Sequence, residues 1–156
     1  MGIPELDHAL GTAGSVLLDS SALLAFYTAH ERVHPLATHL LGRIEQDLDP
    51  LEAWCSTVTL MELLVRPTMA GPQVAGAMLT SLTQFPHLHL APVDEAIAVQ
   101  AAALRAREKL GPADALIVAT GLVIPCEVIV SNDDAWQRRL AARYPQIRFL
   151  YLDEFR

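Results

Sequence analysis

A chain of 156 residues with 52% hydrophobic and 19% charged residues is long enough for one domain with a real core and too apolar to remain disordered. Its net charge of −7 counts against nonspecific coating of DNA or RNA, which calls for a basic surface, but not against an enzyme whose negative charge is gathered in a metal site. Lys109 stands alone against ten arginines, so phosphate contacts would fall to arginine forks.

Residues 1–14 read as a loose lead-in ending in Gly11 and Gly14, and with Glu5 and Asp7 but no basic stretch they do not form a signal peptide. Residues 16–18 are a continuous apolar run, as expected of a parallel strand covered on both faces, and Asp19 stands where that strand stops. A helix follows over 20–27, then a polar break over 30–35. Leu36, Leu40, Leu41, Ile44 and Leu48 keep a helical period that Asp49-Pro50 ends. Residues 53–56 form a second strand, and a helix over 57–66 carries Thr59 and Glu62 until Pro67 stops it. Gly71-Pro72 opens a helix to about Phe85, and residues 88–90 form a third strand. Asp94 caps a long helix that reaches Leu110. Gly111-Pro112 introduces the helix over 113–123, where proline occupies a first-turn position it tolerates. The apolar run 115–124, ended by Pro125, is too short to span a bilayer, so no membrane partner is expected. A fourth strand over 127–130, the segment Ser131-Asn132-Asp133-Asp134, a helix over 135–143 and a terminal strand over 147–152 complete the chain.

Strands alternating with helices predict an α/β fold: a central, mostly parallel five-stranded sheet between helical layers, with residues 15–156 as a single domain. Cys55 and Cys126 lie in apolar runs without a Cys-x-x-Cys motif and read as reduced core thiols of a cytoplasmic protein.

Four acids need explaining. Asp19 either caps the following helix or faces the region beyond the strand ends where ligands bind. Glu62 either closes a capping box with Thr59 or belongs to a site. Asp133 and Asp134 fit the start of a helix, where acids are favoured electrostatically. Asp114 is harder to dismiss, because no charge occurs in the ten residues after it and a buried carboxylate needs a partner. A divalent cation is the economical partner for several carboxylates in one pocket. Hard ions such as Mg2+ or Mn2+ prefer oxygen ligands, and two of them would neutralise four acids. Such a pair can stabilise the attacking and leaving oxygens of a phosphodiester.

The fragments Leu17-Leu18-Asp19-Ser20-Ser21-Ala22-Leu23, Ser56-x-x-Thr59-x-x-Glu62-Leu63-Leu64, Asp114-Ala115-Leu116-Ile117-Val118-Ala119-Thr120 and Ser131-Asn132-Asp133 occur in this order. Together they resemble the four motifs of the PIN domain family, and within it the VapC-type ribonuclease toxins of toxin–antitoxin pairs. The resemblance runs from Val16 to Leu152 and implies a three-layer α/β/α sandwich. It implies an endoribonuclease in which Asp19, Glu62, Asp114 and Asp133 hold Mg2+ or Mn2+ or orient its ligands, with Ser20, Thr59 and Ser131 in support. It also implies a homodimer and a small antitoxin that covers the site. Ser131 replaces the family's more usual threonine, and Asp134 leaves open which of two adjacent acids faces the metal.

Arg66, one turn past Glu62, is a candidate contact for substrate phosphate or an antitoxin carboxylate, or an ordinary helix-end arginine. Arg138, Arg139 and Arg143 form a stripe better read as a solvated face than as an RNA path. His30, His34 and His39, and His87 with His89, lack accompanying cysteines, which disfavours zinc. Trp54, Trp136, Phe26 and Tyr27 read as core or dimer-interface residues.

Two other functions compete. A phosphatase or phosphotransferase with Asp19 as nucleophile would want a second acid two positions on, where this chain has Ser21. A domain that keeps the pocket but serves only as a protein-binding partner sits poorly with a full set of four acids.

Overall fold

The computed structural model describes residues 2–124 and 126–156; Pro125, expected to end the apolar run, lies outside the described residues. Five strands make the sheet: β1 (Ser15–Leu18), β2 (Glu52–Ser56), β3 (Leu88–Ala91), β4 (Val128–Ser131) and β5 (Arg148–Tyr151). Their order is β3-β2-β1-β4-β5 and every pairing is parallel. Leu17, at the centre of β1, is in register with Trp54 on one side and Ile129 on the other.

The pleat divides the apolar residues between two cores. Val16, Leu18, Val128 and Val130 face one helical layer, built from α1 (Ile3–Leu10), α2 (Ser20–Tyr27) and α3 (His34–Glu45). Leu63 of α4 (Thr57–Ala70) and Leu82 of α5 (Pro72–Thr83) extend that layer. Leu17 and Ile129 face the other layer, formed by α6 (Glu95–Glu108), α7 (Pro112–Val123) and α8 (Asp134–Leu140). This is the expected three-layer sandwich, and it explains why β1 is apolar over 16–18 and β4 over 128–130, with Ser15 and Ser131 only at their ends. The last turn, Leu152–Phe155, is a 3-10 helix whose Leu152 and Phe155 close the first core.

α7 lies tightly on the sheet. A Cβ on Gly121 would stand 2.8 Å from Cδ1 of Ile129, so the missing side chain permits the approach. The buried helix pattern read from the uncharged run 115–124 is thus realised against β4. Among the described residues, no helix is long and apolar enough to cross a membrane. Cys55 and Cys126 are free and buried, and burial pushes both thiols up to about 12, which keeps them protonated and unreactive.

The segment expected to be a loose lead-in is the main departure. Residues Ile3–Leu10 form α1, with Pro4 in its first turn and Leu6 and Leu10 fully buried in the core. Asp7 fastens the helix to α3 by accepting from Nε2 of His39 and Nη1 of Arg43, each at 2.9 Å. The His39 hydrogen bond holds the Asp7 carboxyl below its ordinary value, against the opposing effect of burial. Arg148 at the start of β5 donates to the carbonyls of Ala9 and Leu10, which fixes the other end.

Proline behaves differently from expectation at two places. Pro67 does not stop α4; the helix continues to Ala70 with the proline ring buried. The ring forfeits one helical hydrogen bond, and the Gly71 N–H closes the end by donating to the Pro67 and Thr68 carbonyls. Pro35, read as part of a break, lies in the first turn of α3, where its missing N–H costs nothing. α3 ends at Glu45 and α8 at Leu140, each about one turn short of the expected limit, while β4 runs one residue further to include Ser131.

Candidate active site

The chain builds β1, β2 and β3 outward in one direction, then returns to place β4 and β5 on the other side of β1. The region beyond the carboxyl ends of β1 and β4 is therefore the switch point, where open parallel sheets accept ligands. Asp19 follows β1, and its N–H continues the ladder to the Val130 carbonyl at 3.0 Å. Ser131, Asn132 and Asp133 emerge from β4 beside it.

Asp19 occupies the N-cap position of α2, yet its side chain caps nothing. It is 5% exposed, and its carboxylate accepts from three hydroxyls instead. Ser21 Oγ donates at 2.7 Å and Ser131 Oγ at 2.8 Å, both to Oδ2, while Ser20 Oγ lies 3.3 Å from Oδ1. The helix-cap reading of Asp19 is thereby set aside. Each serine has one proton to give. With those of Ser21 and Ser131 spent on Asp19, their lone pairs accept the backbone N–H groups of Asn132 at 2.8 Å and Asp133 at 3.0 Å. The pair of hydroxyls therefore ties the Asp19 carboxylate to the loop that presents Asp133.

Ser21 and Asn132 were not singled out in the sequence. Ser21 makes a shorter bond to Asp19 than the expected supporter, Ser20. The available signal was its position two residues after an aspartate, where a serine hydroxyl reaches back readily. Among the described residues, neither the buried Oδ1 of Asn132 nor Oγ1 of the fully buried Thr59 has a hydrogen-bond partner.

The capping-box reading of Glu62 also falls. Ser56 is the N-cap of α4, with its Oγ accepting from the Val58 N–H at 3.2 Å, so Thr59 lies inside the first turn and Glu62 beyond it. Glu62 is half-buried and shares with Ser20 and Arg66 the wall of a groove between α2, α4 and α5. Arg66 itself is exposed.

Asp114 sits in the first turn of α7, half-buried, and folds back over Gly111, where a Cβ would come within 3.4 Å of Oδ2. Burial raises its carboxyl above the ordinary value of 3.8, and the charges of Asp19, Asp133 and Glu62 push it the same way. Arg139 pulls it back. The charges of three acids on other elements thus act on Asp114. Asp133 keeps its predicted cap, with Oδ1 accepting from the Ala135 N–H at 2.9 Å. Its neighbour Asp134 is bound to Arg138 at 2.9 Å and is not among the charges that shift Asp114.

The donor set is all oxygen, which suits a hard cation. Among the described residues, no three His, Cys, Asp or Glu side chains are close enough to form a ready-made ion cage. Of the histidines, His34 bonds the Ala25 carbonyl, His39 bonds Asp7, and His89 bonds Glu52. Mg2+ commonly takes one or two carboxylates and keeps several waters, so these residues fit it without a closed cage.

The family model described as the PIN domain matches residues 16–142. No curated protein sequence matches this chain. Among solved structures, a toxin–antitoxin complex from Klebsiella pneumoniae is similar at 20% identity, covering 88% of this chain and 97% of that one, with a TM-score of 0.65. VapBC2 from Rickettsia felis, bound to a DNA fragment from its promoter, is similar at 14% identity, with 88% and 98% covered and a TM-score of 0.64. VapC20 from Mycobacterium tuberculosis, a toxin that cleaves the sarcin–ricin loop, is similar at 19% identity, with 85% and 98% covered and a TM-score of 0.63. At these identities the likeness is one of fold, whereas the family model spans most of the sequence and all four acids, and the chain belongs to the PIN domain family.

Proposed function

We propose that this protein is a metal-dependent endoribonuclease and the toxin of a type II toxin–antitoxin pair. The observation that supports the proposal is the pair of hydroxyls that ties Asp19 to the loop carrying Asp133 beyond the ends of β1 and β4, together with the charge effect of Asp19, Glu62 and Asp133 on the Asp114 carboxyl. The fold shared with toxins of VapBC pairs, and with a toxin that cleaves RNA, supports the choice of substrate and of an antitoxin partner.

In this reading Asp19, Glu62, Asp114 and Asp133 hold one or two Mg2+ or Mn2+ ions. When bound, such ions activate the attacking oxygen and stabilise charge on the leaving one. Ser21 and Ser131 aim the Asp19 carboxylate by two short hydrogen bonds. The same two hydroxyls fix the backbone that carries Asp133, so both acids are positioned together. No side-chain nucleophile is required, which separates this reading from an aspartyl phosphatase. Ser21, where that enzyme would need an acid, donates a proton to Asp19 instead. The groove lined by Leu24, Tyr27, Val65, Val74 and Met78 opens beside Ser20 and Glu62, which suits an apolar antitoxin segment that covers the site. A homodimer in the cytoplasm completes the proposal.

Purified protein incubated with mixed RNAs is expected to cleave them with Mg2+ or Mn2+ and not with EDTA; cleavage that survives EDTA would contradict the mechanism. Ser131→Ala removes one of the two short bonds to Oδ2 of Asp19. Groups that orient a metal-binding carboxylate typically contribute about 10–100-fold, and a loss of this size in cleavage rate is expected with the fold retained. An unchanged rate would remove Ser131 from the site.

A further inference from the structure

Five of the chain's 11 lysines and arginines line one cleft of about 440 Å3, at the junction of the end of α6 with α8. They are Arg107, Lys109, Arg138, Arg139 and Arg143, grouped around Glu108. We propose that this cleft binds backbone phosphates of the RNA strand that flanks the cleaved bond. The inference rests on the nuclease reading above and assigns a second, cationic part to its substrate site.

The charge in the cleft is only partly compensated. Arg138 is paired with Asp134 at 2.9 Å and Arg143 with Glu108 at 2.6 Å. Arg139 donates to the Glu108 main-chain carbonyl, which is neutral. Among the described residues, no carboxylate lies within ion-pair distance of Arg107, Lys109 or Arg139. The negative ends of α6 and α8 account for a basic residue on each helix separately. They do not account for both sets converging on one cleft, where like charges repel until an anion enters.

The arrangement is also held in place. Glu108 is 7% exposed, and Tyr144 donates to its Oε1 at 3.4 Å while Arg143 occupies Oε2. One buried residue therefore binds the region after α8 to the end of α6. Lys109 has φ 54° and ψ 37°, the left-handed conformation usually left to glycine at a helix end. Its position turns the chain from the cleft into α7, where Asp114 follows five residues later. Arg138 and Arg139 stand on the helix that Asp133 caps. Arg139 is also the cation felt at Asp114. Two short stretches of chain thus join the cationic cleft to Asp114 and to Asp133.

A single-stranded polyanion matches this layout better than an acidic peptide does. Arginine forks suit phosphate, and the strand that places its scissile phosphate at the acids must continue past them. Among the described residues Ala142 is the one apolar residue lining the cleft, so little apolar surface is offered to the side chains of a peptide.

The test uses the full chain in EDTA with a fluorescent single-stranded oligoribonucleotide. Arg107→Ala/Lys109→Ala is expected to weaken binding about tenfold and to flatten the slope of log affinity against log salt by about 1.4, the value for two phosphate contacts on a single strand. Arg32→Ala/Arg105→Ala removes the same charge outside the cleft and is expected to stay within about twofold of the parent. The proposal is overturned if the parent does not bind RNA, if the cleft variant binds as the parent does, or if the control loses as much. It is likewise overturned if a polyglutamate peptide loses affinity and RNA does not. Circular dichroism establishes that the variants are folded. If the cleft variant loses RNA binding but the parent never cleaves RNA with Mg2+, the nuclease reading fails and the cleft stands. If the parent cleaves and the cleft variant keeps its affinity, the reverse holds.

Discussion

Asp114→Asn is expected to reduce RNA cleavage by more than about 100-fold if Asp114 is the direct ligand proposed above, since the groups that orient ligands already contribute about 10–100-fold. It is also expected to leave the metal-free protein at least as stable as the parent. Burial and three neighbouring acids hold the Asp114 carboxyl above its ordinary value, so the folded chain binds this proton more tightly than the unfolded chain does. The sign follows: stability from this group is present at low pH and is lost as pH rises from about 3.8 through the raised value. At neutral pH the carboxylate opposes folding, and an uncharged amide of the same shape relieves the repulsion. The two proteins should therefore differ in their response to Mg2+. A ligand at roughly 100 times its Kd stabilises the folded state by about 2.7 kcal/mol, which a thermal melt of the parent would register and one of the variant would not. A variant that cleaves at the parental rate, or that unfolds more readily without metal, would remove Asp114 from the proposed centre.

Leu6→Ala is expected to cost about 2–5 kcal/mol, the range for deleting a fully buried leucine side chain. For a chain of this length that corresponds to a fall in Tm on the order of 10 °C. The side chain belongs to the core shared with β1, α2 and α3, and Leu10, one turn later, supports it. Leu48→Ala provides the control, since that leucine is 87% exposed and its loss should stay within about 0.5 kcal/mol. Equal melting temperatures for Leu6→Ala and the parent would mean that α1 is not part of the core.

That helix also shows what limits a reading of the sequence alone. β1 and β4 announce themselves because a strand covered on both faces carries a continuous apolar run, here 16–18 and 128–130, and α7 does so through its long uncharged run. α1 buries Leu6 and Leu10, one turn apart, with Ala9 packed beside them, too short a pattern for periodicity to distinguish from chance. What orders it is distant in sequence: His39, Arg43 and Arg148. Pro67 misled for a related reason. The local rule that proline ends a helix is outweighed by burial of its ring.

The acids were legible because each follows a recognisable element end or interrupts an apolar helix. Their supporting atoms were less so. Ser20 is adjacent to Asp19 and was the natural candidate, yet Ser21 carries the shorter bond and Asn132 meets it from more than a hundred residues away. The choice between Asp133 and Asp134 depends on which side chain an arginine four positions on removes from the site. The cationic cleft was half visible as a stripe on one helix. Its other half, Arg107 and Lys109, ends a helix that only the fold brings alongside.

The most direct measurement is anomalous diffraction from crystals of this protein soaked in Mn2+. A peak is expected among Asp19, Glu62, Asp114 and Asp133, with Asp134 still turned to Arg138. A pocket without a peak at Mn2+ concentrations that sustain cleavage, or a peak held by other residues, would contradict it.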